Sequence, residues 1–511
     1  VTRSFSRLTA PLALALTLCW ALPGTAQAAR DPNSTDTPLP PDIAEALARA
    51  EVPASSVAMV VAPLPPPGTV GGERNPTPTP PPGPAALPRL SWQPDLALNP
   101  ASVMKVVTTY AGLDLLGPGH FWKTRVYAQG PIQDGVLRGN LLIRGGGDPK
   151  LVLERLQDLM RAIQEQGVRE VRGDILLDNS VFRLPPHDPA AFDDDPLRPY
   201  NAGPDGLLVN FKALVLTFTP DPPGRRVRVT HEPPIAGVDI PTVLRASSGP
   251  CGDWRSRLGA DFTQPGQVRL GGRYSMRCGV QQWAVAYVDP ASYAPRVIEA
   301  MWRAGGGQLG GQVKWVDRPP EGPAIGQPVV TGYSLPLMEI IGDINRFSNN
   351  VMAQQLFLTL SAAGSGHGSF TDSRDVLARW WRRRFGTRPA PPVIDNGSGL
   401  SRDERVSASA LTALLARAAE GPNAAVFEQS LSLAGVNGTA RRLAARNPHS
   451  EAIGNARLKT GSLRDVAAVA GYAWGRSGQK YTVVGLINHP NAGAARPALD
   501  KLVEWAVRDA P

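Results

Sequence analysis

The sequence predicts an α/β (α+β) chain in which a large, mostly β insertion splits a body of mixed helices and strands. Three observations predict this. Capped helical patterns lie near the N-terminal end and return after residue 333. Short β-type runs separated by turn residues fill about 124–332. A long apolar hairpin, "VAAVAGYAWGRSGQKYTVVGLIN", followed by a last helix, closes the chain. With 511 residues, 42% of them hydrophobic, the chain can bury cores for roughly two to four domains.

Taken in order, the N-terminal segment carries Arg3 and Arg7, an apolar run over 11–22 and a small-residue site, Ala26-Gln27-Ala28. This is the pattern of a secretory signal peptide over 1–28, so export to the periplasm is expected. Cys19 follows Leu18, where a lipoprotein signal wants a small residue. No later segment is apolar for long enough to span a bilayer. "PPDIAEALARA" reads as a helix capped by Asp42, and "SSVAMVVAPL" as a strand. The Pro- and Gly-rich stretch 62–88 can build neither a ladder nor a helix interior, and reads as an exposed loop between two strands.

Within 124–332 come runs such as "GNLLIRGGGDPKL", "GDILLDNSVF" and "LLVNFKALVLTFTP", with one helix, "VLERLQDLMRAIQEQG". The glycines of "RGGGDPKL" have no following GK[ST] and no helix N-terminus, so a tight structural turn is expected, not a phosphate cradle. After 333, "SLPLMEIIGDINRFSNNVMAQQLFLTLS" and "SRDVLARWWRRRFG" are helical, and the final helix sets Leu499, Leu502, Val503 and Ala506 on one face. Beyond the signal only Cys251 and Cys278 are left. An oxidising compartment favours their pairing over two buried thiols, and no His or Cys lies at zinc-site spacing around them; no metal or cofactor is expected.

The formal charge is +9, or +7 without Arg3 and Arg7, a modest excess spread along the chain. It suits anionic wall material or substrate carboxylates, and the basic, aromatic-interleaved patches of a nucleic-acid binder are missing. Of 53 basic residues only eight are lysines, at 105, 123, 150, 212, 314, 459, 480 and 501. Where Arg serves for plain charge, a retained Lys points to a need for a proton that can leave.

Two of these eight fall in motifs. In "LNPASVMKVV", Asn99 reads as an N-cap and Pro100 as the first helical residue, so Ser102 lies in the first turn and shares a helix face with Lys105, three positions on. Any Ser and Lys three apart would do this. "RFSNNVMAQQ" adds Ser348-Asn349-Asn350 in a helical segment, and "ARLKTGSL" adds Lys459-Thr460-Gly461 in a strand. S-x-x-K, S-x-N and K-T-G in that order are the signature of penicillin-binding proteins and class A β-lactamases.

Ser102 and Ser348 lie 246 positions apart, far more than in a simple serine β-lactamase, and the surplus matches the β-rich insertion. The chain therefore resembles the D-Ala-D-Ala carboxypeptidases/endopeptidases of the penicillin-binding protein 4 type. Beside the triple, "GGGDPKL", "VIDNGSGLSR" and "LAGVNGTARRL" carry the likeness. The Pro-rich loop is an extra, and Asn437 stands where Asp is usual before Gly-Thr.

The resemblance implies a penicillin-binding protein/serine β-lactamase-like transpeptidase fold. Its catalytic domain would span 29–123 and 333–511, with one inserted domain over 124–186 and 285–332 and another over 187–284. It implies peptidoglycan stem peptides as substrate and β-lactams as covalent inhibitors. Ser102 would be the nucleophile, Lys105 its base, Ser348 the proton relay to the leaving amine, and Asn350 a holder of Lys105 and the substrate backbone. Lys459 and Thr460 would bind the terminal carboxylate. Gly461 would keep the strand edge bare, and the Ser102 and Ser462 N–H groups would form the oxyanion hole. Arg402 and Asp195 match the family's pocket for the stem's diamino acid. A β-lactamase would need a further deacylating base, and no Glu motif of that kind is seen between Ser348 and Lys459. A non-catalytic muropeptide binder would tolerate loss of a motif, and all three are intact.

Overall fold

The computed structural model describes residues 36–65, 87–316 and 325–509. The signal-peptide reading over 1–28 and most of the Pro-rich loop lie outside them. Among the described residues no helix is long and apolar enough to cross a membrane.

A six-stranded antiparallel sheet organises the body. Its strands run in the order Ser432–Leu433, Ala456–Leu463, Val466–Trp474, Lys480–Asn488, Val57–Pro63 and Leu90–Trp92. The first strand of the body therefore lies beside the last, with Val60 opposite Val484. Val466–Trp474 and Lys480–Asn488 are buried along nearly their whole length. That is the pattern of central strands covered on both faces.

Alternation decides which side chain meets which layer. Ala58, Val60, Ala468, Ala470 and Val484 join one apolar cluster with helices Met104–Leu116, Leu337–Phe347, Asn350–Ser365 and Ala408–Glu420. Val57, Met59, Val61, Ala467, Val469 and Val483 join another with helices Pro41–Arg49 and Arg496–Arg508. Met104–Leu116 is buried all round through Leu113, as a central helix must be.

The insertion holds two five-stranded sheets and smaller ribbons. One sheet joins Val313–Trp315, Ile175–Asp178, Asn140–Arg144, Lys123–Gln129 and Val330–Tyr333. The other joins Arg273–Ser275, Val243–Ser247, Arg226–Glu232, Ala213–Asp221 and Gln281–Ala286. Two expectations need correction. The insertion has a second long helix, Pro290–Ala304, besides Leu153–Glu165. Its buried face, Tyr293, Val297, Met301 with Ala294, Ile298 and Trp302, follows the helical period, and Pro295 inside it obscured the pattern. The boundary expected between 284 and 285 falls inside strand Gln281–Ala286, and Val126, Ile143, Phe218 and Val227 of both expected domains share one core.

Cys251 and Cys278 are bonded to each other, as expected. The triple glycine is also structural. A Cβ on Gly145 would meet the Gly206 carbonyl at 2.2 Å and one on Gly146 the Lys123 carbonyl at 2.3 Å. Gln355, buried on Asn350–Ser365, donates to the Asp205 carbonyl and accepts from its N–H, both at 2.9 Å, so this turn region is fastened to the body.

Candidate active site

Ser102 sits on a short 3-10 turn, Ala101–Val103, that leads into helix Met104–Leu116. The helix thus begins later than Asn99 and Pro100 suggest. Asn99 caps the turn before it, accepting from the Ala101 N–H at 2.9 Å, and it exchanges bonds with Asn488 and donates to the Ser401 carbonyl. Ala101 has φ +50°, a backbone state L residues rarely adopt, so the turn is held from outside. Two glycines press on it. A Cβ on Gly399 would come within 1.6 Å of the Ala101 carbonyl oxygen, and one on Gly461 within 2.4 Å of the Pro100 oxygen. Gly461 thus packs against the nucleophile's turn, a constraint in addition to the bare strand edge expected of it.

Lys105 is fully buried, and its Nζ lies 3.0 Å from Ser102 Oγ and 2.6 Å from Asn350 Oδ1, with the Ser398 carbonyl as a third acceptor. Burial lowers its pKa to about 7, against the opposing pull of the Glu404 carboxyl. A neutral amine has two N–H donors and one lone pair. Asn350 Oδ1 and the Ser398 carbonyl accept only, so when they take the two protons the lone pair faces the one partner that can donate, the Ser102 hydroxyl.

Ser348 and Asn350 were expected inside one helix, but the chain breaks there. Ser348 ends Leu337–Phe347 in the left-handed region (φ 58°), and Asn349 starts Asn350–Ser365, accepting from the Met352 N–H at 3.1 Å. The break turns Ser348 toward the Ala456–Leu463 strand, where Lys459 Nζ donates to Ser348 Oγ at 2.8 Å and to the Thr460 carbonyl at 2.7 Å. Asn350 Oδ1 meets Lys105 while its Nδ2 donates to the Tyr200 carbonyl of the insertion.

Lys105 and Lys459 are the two buried lysines of the eight. Burial and then the charge of Lys105 hold Lys459 well below the usual lysine range. The strand Ser432–Leu433 pairs with Leu458 and Arg457, and among the described residues no strand pairs with that edge of Ala456–Leu463 along Thr460–Ser462. Ser102, Ser348, Thr460, Gly461 and Ser462 line one cavity.

Arg402 and Asp195 are placed apart in their contacts. Arg402 pairs with Asp465 at 3.0 Å and lies over the Phe192 ring, 4.6 Å from its centroid. Asp195, three residues past Phe192, pairs with Arg198 at 2.6 Å. The "FDDDPLRPY" loop thus reaches Arg402 through its aromatic residue. Asn437 accepts from the Leu433 N–H at 2.8 Å, a bond for which either Asn or Asp has the oxygen, and Thr439 two residues on reaches Thr460 Oγ1 at 2.8 Å.

Glu404 was missed. It is wholly buried, its Oε1 accepts from the N–H groups of Asp395, Asn396 and Gly397, and its buried Oε2 has no hydrogen-bond partner among the described residues. Burial pushes its pKa up to about 7. It therefore props the loop whose Ser398 carbonyl holds Lys105. Nothing periodic marks it, because it sits in a loop that only tertiary approach buries.

A profile of the D-Ala-D-Ala carboxypeptidase 3 (S13) family matches residues 89–508. The chain is 25% identical over 403 residues to D-alanyl-D-alanine carboxypeptidase DacB of Haemophilus influenzae, which spans 77% of this chain and 81% of that protein. It is 27% identical over 443 residues to a D-alanyl-D-alanine carboxypeptidase of an Actinomadura species, 81% of this chain and 78% of that one. The crystal structure of penicillin-binding protein 4 (dacB) from H. influenzae shares the fold, with a TM-score of 0.68 at 21% identity over 90% of this chain and 97% of that chain. That protein has also been solved with a β-lactam bound.

Proposed function

The chain belongs to the D-Ala-D-Ala carboxypeptidase 3 (S13) family, and from that premise we propose that it is an exported serine peptidase of the periplasm. It would remove the terminal D-Ala of peptidoglycan stem peptides and cut D-Ala-to-diaminopimelate cross-links through an acyl-enzyme. Residues 36–123 and 333–509 make up the catalytic body in this reading, and the insertion forms the outer wall of the cleft.

Neutral Lys105 takes the Ser102 proton as Oγ attacks the carbonyl of the penultimate D-Ala. The oxyanion is held by the Ser102 and Ser462 N–H groups. As the C–N bond breaks, the proton passes from Lys105 through Ser348 to the leaving amine. Water then attacks the ester as Lys105 takes its proton, and Lys105 passes that proton to the departing Ser102 Oγ, which restores the hydroxyl and the neutral amine. Lys459, Thr460 and Ser462 bind the terminal carboxylate, and Arg402, Phe192 and Asp195 face the diamino acid. β-Lactams, one of which the H. influenzae relative binds, would acylate Ser102 and leave slowly, because their tethered amine hinders water and the one acid among the residues lining the Ser102 cavity, Asp500, is held by Arg446.

The observation that carries the reading is Lys105 itself: fully buried, with two obligate acceptors that leave its lone pair to Ser102. The test is intact-mass analysis after incubation with penicillin. Wild type should gain one penicilloyl group and Ser102→Ala none, with an unchanged melting temperature. Labelling that persists in the variant would place the nucleophile elsewhere.

A further inference from the structure

The cavity that holds Ser102 and Ser348 does not stop at the strand. Lys459 points to Ser348, and by alternation Thr460 and Ser462 project from the strand's other face, where they still line the cavity that holds Ser102 and Ser348. There the same cavity, about 200 Å³, continues past the uncovered edge and is lined by Arg442, Arg446 and Arg496. Arg442 and Arg446 belong to the short helix Arg442–Arg446, and Arg496 opens Arg496–Arg508.

The charges on this wall do not balance. Asp500 is the one acid among the lining residues, and Arg446 takes it by two bonds, both at 2.7 Å. Arg442 and Arg496 make no ion pair or hydrogen bond among the described residues. Arg496 is half buried, and burial together with the repulsion of Arg446 and Arg442 lowers its pKa. Three guanidinium groups around one carboxylate in a partly enclosed space leave an excess of positive charge, and a carboxylate matches the planar fork of each.

We propose that this arginine-lined extension is a second carboxylate-binding subsite, which receives the peptide on the leaving-group side of the scissile bond. The inference rests on the peptidase reading above. When a single D-Ala leaves, its one carboxylate is met at Lys459, Thr460 and Ser462, and the extension stays unused. When a cross-link is cut, the leaving amine belongs to a second stem peptide that bears additional carboxylates, and its chain must run on past the Thr460–Ser462 edge. The subsite thus favours cross-linked substrate over a free stem end.

The experiment compares wild type and Arg496→Gln on two cross-linked muropeptide dimers that both keep the carboxylate next to the scissile amide, one with the other carboxylates of the leaving stem free and one with them amidated. Penicillin acylation and thermal melting are followed in parallel. For the free dimer the variant should lose about tenfold in kcat/KM, mainly through KM, as expected for one charge-assisted contact. It should cut the amidated dimer at the wild-type rate and acylate normally, while wild type alone should prefer the free dimer by a similar factor. Equal losses on both dimers, or wild type that treats them alike, would overturn the subsite. If wild type still takes penicillin and trims D-Ala-D-Ala ends in that event, the peptidase reading stands without it. A wild type that does neither would remove both.

Discussion

Lys105 and Lys459 stand on two sides of the cleft, one on a helix and one on a strand, and neither has exposed surface. Their surroundings differ. Lys105 has three acceptors, two of them fixed and unable to donate, and a buried carboxyl behind the loop that supplies one of them. Lys459 has the Ser348 hydroxyl and its neighbour's carbonyl, no acid within ion-pairing distance among the described residues, and an open strand edge in front. The comparison teaches that burial alone does not make a general base. Each has one hydroxyl partner that can give it a proton, and what separates the two is that obligate acceptors take both other sites of Lys105 and aim its lone pair at Ser102, whereas Lys459 has one such acceptor.

The largest effect should come from breaking the Lys105 side. Lys105→Met should lower penicillin acylation by about 10³-fold, within the range of general-base contributions, measured with a fluorescent penicillin in stopped flow. The same variant has a stability signature. The lysine's pKa falls from 10.5 unfolded to about 7 folded, so between those values the unfolded state binds more protons and stability rises with pH. Removing the amine should make that rise shallower in thermal melts taken from pH 7 to 10, with the part due to Lys459 retained.

On the Lys459 side the effect should be smaller and depend on the substrate. Lys459→Ala removes the amine proposed to meet the terminal carboxylate and should cost roughly 2 kcal/mol, about 30-fold in kcat/KM, with a D-Ala-D-Ala peptide. A peptide amidated at its C-terminus should lose much less. Losses of equal size with both peptides would mean that Lys459 serves Ser348 alone.

How much of this was legible follows from the same contrast. Ser102, Lys105, Lys459 and Thr460 stand at short spacings on regular elements, where period fixes who faces whom, so the pairs could be read from the chain. The break at Ser348 could not, since local propensity continues the helix and only the approach of the Lys459 strand favours the left-handed residue. The packing of Gly461 was not legible because its neighbour, the Pro100–Ala101 turn, lies 360 positions away in the chain. Arg442 and Arg496 belong to helices that meet only in the fold. Phe192 reaches Arg402 from the insertion, a contact that no sequence pattern encodes.

Glu404 gives the smallest and most diagnostic effect. Its carboxyl raises the pKa of Lys105 while burial lowers it, and both groups titrate at about 7. Loss of the Glu404 proton makes the Lys105 proton harder to remove, so the two should come off in spread steps and the rise of wild-type acylation with pH should be broader than one group gives. In Glu404→Gln the opposing charge is gone. The limb should then narrow to one proton and move to lower pH, so that acylation at pH 6 becomes a larger fraction of its plateau. The plateau itself should fall only about threefold, because a neutral amide oxygen accepts more weakly from the N–H groups of Asp395, Asn396 and Gly397 that hold the Ser398 loop. Measuring the acylation rate from pH 5 to 9 separates the two roles: a lowered plateau with an unmoved limb would make Glu404 a prop for the loop alone, whereas a displaced limb shows that it also sets the charge state in which Lys105 meets Ser102.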